Sequence, residues 1–496
     1  MKKLPDATRL FLILALVLHL AACAAPATSQ PRTGDATQNA ASTDAAASTS
    51  TSASATANPS SSSAPTQPGE ATANGVSGST APNIIQPNAD AGTTTATTAA
   101  PSSLASWPQW RGPNRDGNVS GFPAPQVWPK ALKEEWKVTV GVGHASPVVS
   151  DGKIYVFARQ GEEETLVCLD AATGKQLWRS AQPVAYEMNP AARGHGKGPK
   201  STPVVSNNRV YTLGIAGLLS AHDARTGKLL WRKDFSKQYP TTSPLYGTAM
   251  SPVVEKNLLI AHVGGHERGA LTAFDAETGA VRWAYDADPP AYSSPILVTL
   301  GGERQVVTFT QKEFVGVSAA NGKLLWKLPA KTHYDTNCAT AVTYKDMLVI
   351  SLEDQGMLAI RPVRQSATGA FTVQEVWRNA DNVLYMNSPV LQGNLLFGMS
   401  ARKKGQFFCL DADTGKTIWQ SEGRMGENAS ILNLSGTLLF LTNDANLIVL
   451  PASAKQYAPL AQYTVANSPT WAHPVVLGDR ILVKDETTLA SLSVRQ

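Results

Sequence analysis

The chain has 496 residues, 43% of them apolar and 16% charged, with a formal net charge of +5. That length allows a large core, and the small charge excess makes no case for a nucleic-acid partner. Only four cysteines are present, one of them close to the N-terminus; the three that remain are an odd number, which argues against a disulfide framework.

In chain order, the first element is an export signal, residues 1–22. Lys2, Lys3 and Arg9 precede an apolar run from residue 10 to residue 20, and small residues follow. Leu20-Ala21-Ala22-Cys23 has the small-small-Cys pattern of a bacterial lipoprotein signal, so Cys23 is expected to carry lipid. A lipid chain would anchor the protein to a membrane without a spanning helix. No later segment approaches the ~18 uninterrupted apolar residues that such a helix needs. The cell envelope follows as the expected location: the periplasmic face of an outer membrane, or the outer face of the cytoplasmic membrane in a host lacking one.

Residues 23–104 are almost entirely Ala, Ser, Thr, Pro, Gly and Asn, without an aromatic side chain. Such a stretch cannot bury enough apolar surface to offset its ordering entropy and reads as a disordered tether. Its root-mean-square reach as a flexible chain is roughly 50 Å.

From residue 105 onward one segment recurs. It reads Leu169-Asp-Ala-Ala-Thr-Gly-Lys-Gln-Leu-Trp178, then His222-Asp-Ala-Arg-Thr-Gly-Lys-Leu-Leu-Trp231, then Phe274-Asp-Ala-Glu-Thr-Gly-Ala-Val-Arg-Trp283. Shortened or degraded copies end at Trp326, Trp377 and Tyr463, and a full copy ends at Trp419. Asp, Thr and Gly build a tight turn between two strands, and Trp offers a broad apolar face for wedging between sheets. Cys168 and Cys409 occupy equivalent repeat positions and read as buried strand thiols.

A second landmark alternates with the first: Ser146-Pro147, Thr202-Pro203, Ser251-Pro252, Ser294-Pro295, Ser388-Pro389 and His473-Pro474, each opening a short apolar strand, with weaker copies at Thr340 and Ser430. Eight such landmarks at a spacing of about 47 residues specify eight four-stranded blades. After Pro474 only three strands fit, at 474–477, 480–484 and 489–494. The segment 132–140, with Trp136, supplies the missing outer strand and closes the ring. The expected fold is all-β: an eight-bladed propeller, monomeric, over residues 105–496.

The Asp-x-x-Thr-Gly-x-x-x-Trp repeat, the count of eight and the opening Trp107-Pro-Gln-Trp110-Arg-Gly-Pro113 resemble the pyrroloquinoline-quinone (PQQ)-type propeller superfamily. The resemblance implies one of two functions. One is the non-enzymatic lipoprotein of outer-membrane barrel assembly, the BamB type, which docks a protein partner. The other is the quinone- and calcium-dependent dehydrogenases. Those enzymes carry an adjacent Cys-Cys pair, an Asp base and a calcium cluster. This chain has no Cys-Cys pair, no matched Asp base can be identified, and its folded part is shorter. No catalytic residue, metal site or cofactor is therefore expected, with PQQ and calcium as the alternative.

In a propeller the loops entering the innermost strands line a central funnel. At the position one residue before the landmark proline the chain carries small hydroxyls in every copy but the last, where His473 stands, which suggests a repeated backbone-capping role. Three residues before each landmark it is varied. His144, Lys200, Tyr292, Asn428 and Trp471 stand there, flanked by Tyr246, Tyr334, Asn337, Tyr385 and Glu427, with His473 close by. Two readings stand, a ligand funnel and a solvated channel mouth. The 186–200 connection is basic and glycine-rich, and Arg193, His195 and Lys197 are candidates to contact an anion or an acidic partner, with a mobile surface loop as the plainer reading.

Overall fold

The computed structural model describes residues 106–367 and 369–495. The expected signal, the Cys23 lipidation site and the tether lie outside the described residues.

Thirty-two strands form eight four-stranded antiparallel sheets, the eight blades of a propeller. Blades 1 to 7 are each built from four consecutive strands: residues 148–183, 204–233, 253–285, 296–329, 342–379, 390–420 and 429–464. Blade 8 takes Val475–Leu477, Arg480–Lys484 and Thr488–Ser493, and its outer strand is Lys133–Thr139 from the other end of the chain. In that joint Trp136 pairs with Ser491, so the expected closure is present.

The turn chemistry explains the repeat. Asp170 Oδ1 accepts from the Thr173 backbone N–H at 2.9 Å and from its hydroxyl at 2.7 Å. Asp223, Asp275 and Asp411 do the same with their own threonines. The glycine that follows has positive φ, 71° at Gly174, which its missing Cβ permits. Because that glycine lacks a side chain, the Trp of the preceding blade lies against it: Trp136 on Gly174, Trp178 on Gly227, Trp231 on Gly279, Trp283 on Gly322 and Trp377 on Gly415. The Trp283 and Trp377 indoles also donate to Ala319 and Ala412 carbonyls in the next blade, at 3.1 and 2.9 Å. Trp326 departs from the pattern. Blade 5 has lost the turn that would receive it, so its indole folds over Gly316 of its own blade and donates to Gln305 at 2.7 Å. Cys168 and Cys409 are buried, unbonded thiols facing Trp178 and Trp419 in register.

The hydroxyls before the inner strands cap backbone, but between blades rather than within them. The N–H of Ser146 donates to Thr202, that of Thr202 to Ser251, Ser251 to Ser294, Ser294 to Thr340 and Thr340 to Ser388, all at 2.9–3.1 Å. This girdle holds successive inner strands at a common height and so fixes where the residues two positions upstream project.

A central aromatic cavity and its floor

The girdle surrounds a cavity of about 530 Å³ on the propeller axis. All eight residues three positions before the landmarks line it: His144, Lys200, Ala249 and Tyr292 from one half of the ring, and Cys338, Met386, Asn428 and Trp471 from the other. Tyr246, Tyr334, Tyr385 and His473 also line it. Tyr334 is 68% exposed and Tyr385 41%, so the rim on that side presents aromatic surface to solvent.

Two expected members sit elsewhere. Asn337 is buried, and its amide donates to the carbonyls of Thr310, Gln311 and Ala330 at 3.0, 3.2 and 2.6 Å, tying blade 4 to the loop that follows it. Its neighbour Cys338 faces the cavity instead. Glu427 lies outside, in an adjoining groove shared with Tyr385.

The basic connection divides. Pro190–His195 forms a 3-10 turn capped by the Asn189 side chain, which accepts from Ala191 N–H at 2.9 Å. The following backbone is pressed against the start of blade 1: a Cβ at Gly198 would lie 2.4 Å from the Val142 carbonyl, so only glycine fits. His144 and Ala145 N–H both donate to Pro199 O. This docking delivers His195 and Lys200 to the cavity wall and leaves Arg193 and Lys197 exposed to solvent. The connection thus gives two of these side chains to the cavity and two to the surface, and its backbone packs against the start of blade 1.

Inside, His144 stacks on Trp471 at 5.5 Å and 15°, and His195 meets Trp471 edge-on at 4.8 Å. Lys200 Nζ donates to the Tyr246 carbonyl at 2.6 Å, and Tyr246 N–H donates to the Tyr292 hydroxyl at 3.1 Å. Burial sets the electrostatics. It lowers Lys200 to about 8 and His473 to about 3, holds His144 well below the ordinary imidazole range, and pushes the Cys338 thiol up to about 12. At neutral pH the two imidazoles are uncharged and Lys200 supplies the wall's positive charge. No Asp or Glu lines the cavity among the described residues.

The floor was not foreseen. Trp107–Asn118 leaves the blades and threads across the inner strands. Trp107 exchanges backbone bonds with Val149 of blade 1, and Pro108 O accepts from Val205 of blade 2. Arg115 donates to Ser251 O and Pro252 O of blade 3, both at 2.9 Å, and Arg111 to Pro389 O beside blade 6. Gly117 and Val119 bond the Asn433 backbone of blade 7. Trp110 faces up into the cavity, with both guanidinium groups against its ring at 5.5 and 5.6 Å and His473 edge-on. One signal was available: Trp107-Pro-Gln-Trp110-Arg-Gly-Pro113 is too aromatic for a tether yet lies outside every repeat.

The sequence profile of the family described as "Outer membrane protein assembly factor BamB" matches residues 115–195 and 162–421. The chain belongs to this family. Among BamB-type relatives, the Shewanella oneidensis outer membrane protein assembly factor BamB is 24% identical over 320 residues, 63% of this chain and 66% of that protein. The quinohemoprotein alcohol dehydrogenase ADH IIB of Pseudomonas putida is 32% identical over 148 residues, 29% of this chain and 20% of that protein. The chain therefore spans under two thirds of either relative's length. Among solved structures, the quinohemoprotein alcohol dehydrogenase of Comamonas testosteroni superposes with a TM-score of 0.59 at 14% identity, covering 80% of this chain and 81% of that one. At that identity the likeness shows the shared propeller and nothing about activity.

The quinone enzymes' cofactor pair can be tested against the cavity. Calcium takes six to eight oxygen ligands, several of them carboxylates. The wall offers Asn428 and hydroxyls but no carboxylate, and no cluster of three potential metal-binding side chains occurs among the described residues. The residues present do not fit a calcium-bound quinone.

Proposed function

We propose that this protein is a lipid-anchored, non-catalytic scaffold of the bacterial cell envelope that docks a protein partner in outer-membrane protein assembly. The observation that carries this reading is the rim: Tyr334 and Tyr385 stand exposed around a cavity that no carboxylate lines among the described residues. Tyrosines on rigid loops give large contact area at low entropic cost, as protein-binding surfaces require. Membership in the BamB-type family supports the same reading, and the Cys23 signal with its tether supplies the anchor. Photo-crosslinking from positions 334 and 385 in cells, read by mass spectrometry, tests it. An outer-membrane assembly subunit is expected, and exclusive capture of small molecules or of nothing overturns the scaffold. Cys23→Ser is expected to move the protein from the membrane to the soluble fraction.

A second reading, ligand sensing in the funnel, is favoured by the stacked His144–Trp471 pair beside Lys200. Titration with PQQ in the presence of Ca²⁺, followed by absorbance, separates the two. Saturable binding with dye-linked alcohol oxidation would replace the scaffold by an enzyme.

A further inference from the structure

We propose that the groove between two loops of blade 6, residues 401–405 and 421–427, binds an acidic peptide segment of a protein partner. The inference rests on the scaffold reading and specifies the partner's chemistry. The groove, about 510 Å³, is lined by Tyr385, Lys404, Arg424 and Glu427. Arg402, Lys403, Lys404 and Arg424 are all exposed around it. Nearby arginines of blade 5 are neutralised, Arg361 by Asp346 and Arg378 by Glu375, whereas none of these four cations is ion-paired among the described residues.

The groove is also preformed. Arg424 N–H donates to Lys403 O at 3.0 Å, and Met425 N–H donates to Gly405 O at 3.1 Å, which locks one loop to the other. Gly405, at φ 92°, passes so close to the Gly426 carbonyl that no Cβ fits between them. The cost of this packing is visible in the backbone. Lys403, Lys404 and Arg424 hold φ of 53°, 63° and 67°, a region disfavoured for residues with a side chain. Three such positions in the two loops that flank the groove, each carrying a cation, argue for a surface held in its binding shape.

The loops also contain Glu422 and Glu427, both exposed. Glu427 sits on the funnel side, so the partner's carboxylates are directed to Lys404 and Arg424, and an apolar side chain to Tyr385. A flat anionic lipid surface would meet the lysine tips but could not enter the groove, which favours a peptide.

The test uses the full chain and a labelled peptide of alternating glutamate and phenylalanine, with its glutamine analogue for comparison. K404E/R424E is expected to weaken binding at least ten-fold with an unchanged melting curve; R424Q alone gives a milder check. The same charge change on other blades, K228E/K323E, is expected to stay within two-fold. Equal binding of the glutamine peptide, or an equal loss in the remote variant, overturns the groove. So does a loss confined to phosphatidylglycerol vesicles with peptide affinity intact. Cellular crosslinks from Tyr334 that persist undiminished in K404E/R424E also overturn the groove while leaving the scaffold standing. Charge-selective peptide binding without any cellular crosslink overturns the scaffold instead.

Discussion

The backbone N–H of His473 donates to the hydroxyl of Ser146 at 2.8 Å, joining blade 8 to blade 1 across 327 positions of sequence. It is the closing member of the inter-blade girdle, at the opposite edge of the blade 8 sheet from the outer-strand joint made by Trp136. Beyond Ser388 the girdle lapses: no bond of the series joins Ser388 to Ser430 among the described residues, and His473 has no hydroxyl to accept from Ser430. On that side the Trp107–Asn118 segment takes over, through Arg111 at Pro389 and Gly117 at Asn433. Ring closure is thus secured twice, once by strand pairing at the rim and once by polar contacts at the axis.

Ser146→Ala leaves the His473 N–H without its acceptor. A buried donor without a partner costs about 1–3 kcal/mol. The urea midpoint should fall accordingly, whereas Ser430→Ala, outside the run of bonds, should shift it by less than about 0.5 kcal/mol. Equal shifts would show that the girdle carries no stability.

Glu164 predicts a pH dependence at the blade 1–blade 2 junction. It is 1% exposed, accepts from Ile215 N–H at 2.7 Å, and burial raises its pKa to about 7. The folded state therefore binds its proton more tightly than the unfolded chain does. Stability associated with Glu164 is fully present below about 4.5 and is lost as pH rises through about 7. Linkage makes that loss about 3 kcal/mol at most. Glu164→Gln should flatten the stability profile between those values, and an unchanged slope in denaturant melts at several pH values would contradict the assignment.

Lys200 should titrate apart from the other lysines. Burial in the cavity wall lowers it to about 8. Reductive ¹³C-methylation followed by NMR should show one dimethyl-lysine resonance with a midpoint near that value, absent in Lys200→Arg. A midpoint above 10 would mean that the wall is wetter than its packing implies.

Neighbouring rim residues should separate into framework and contact. Asn337→Ala removes an amide whose two N–H groups serve three carbonyls, and a loss of about 2–3 kcal/mol is expected. Tyr334→Ala, at an exposed position, should leave the melting temperature within about 1 °C and reduce partner capture instead. The reverse pattern would relocate the contact surface.

Much of the architecture was legible because it is written locally and repeatedly. Asp170, Thr173 and Gly174 satisfy one another within a single turn, so their recurrence marks each blade wherever it occurs. The shortage of a strand after Pro474 and the surplus around Trp136 made the closure a matter of counting. The cavity column was legible for the same reason, since equal offsets from repeated strands project to one axis.

The chain's own order therefore determined the number of blades, the joint between its two ends and the set of residues facing the axis. Tertiary structure alone decided which of those side chains reach the cavity. Asn337 turns inward because three carbonyls await it there, and Arg193 and Lys197 part from His195 and Lys200 because Gly198 presses the loop onto Val142. The floor under Trp110 also waited on assembly. Its partners, Pro252, Pro389 and Asn433, are distant in sequence; the two proline carbonyls reach Arg115 and Arg111, and the Asn433 N–H reaches the Gly117 carbonyl, only once the ring has formed.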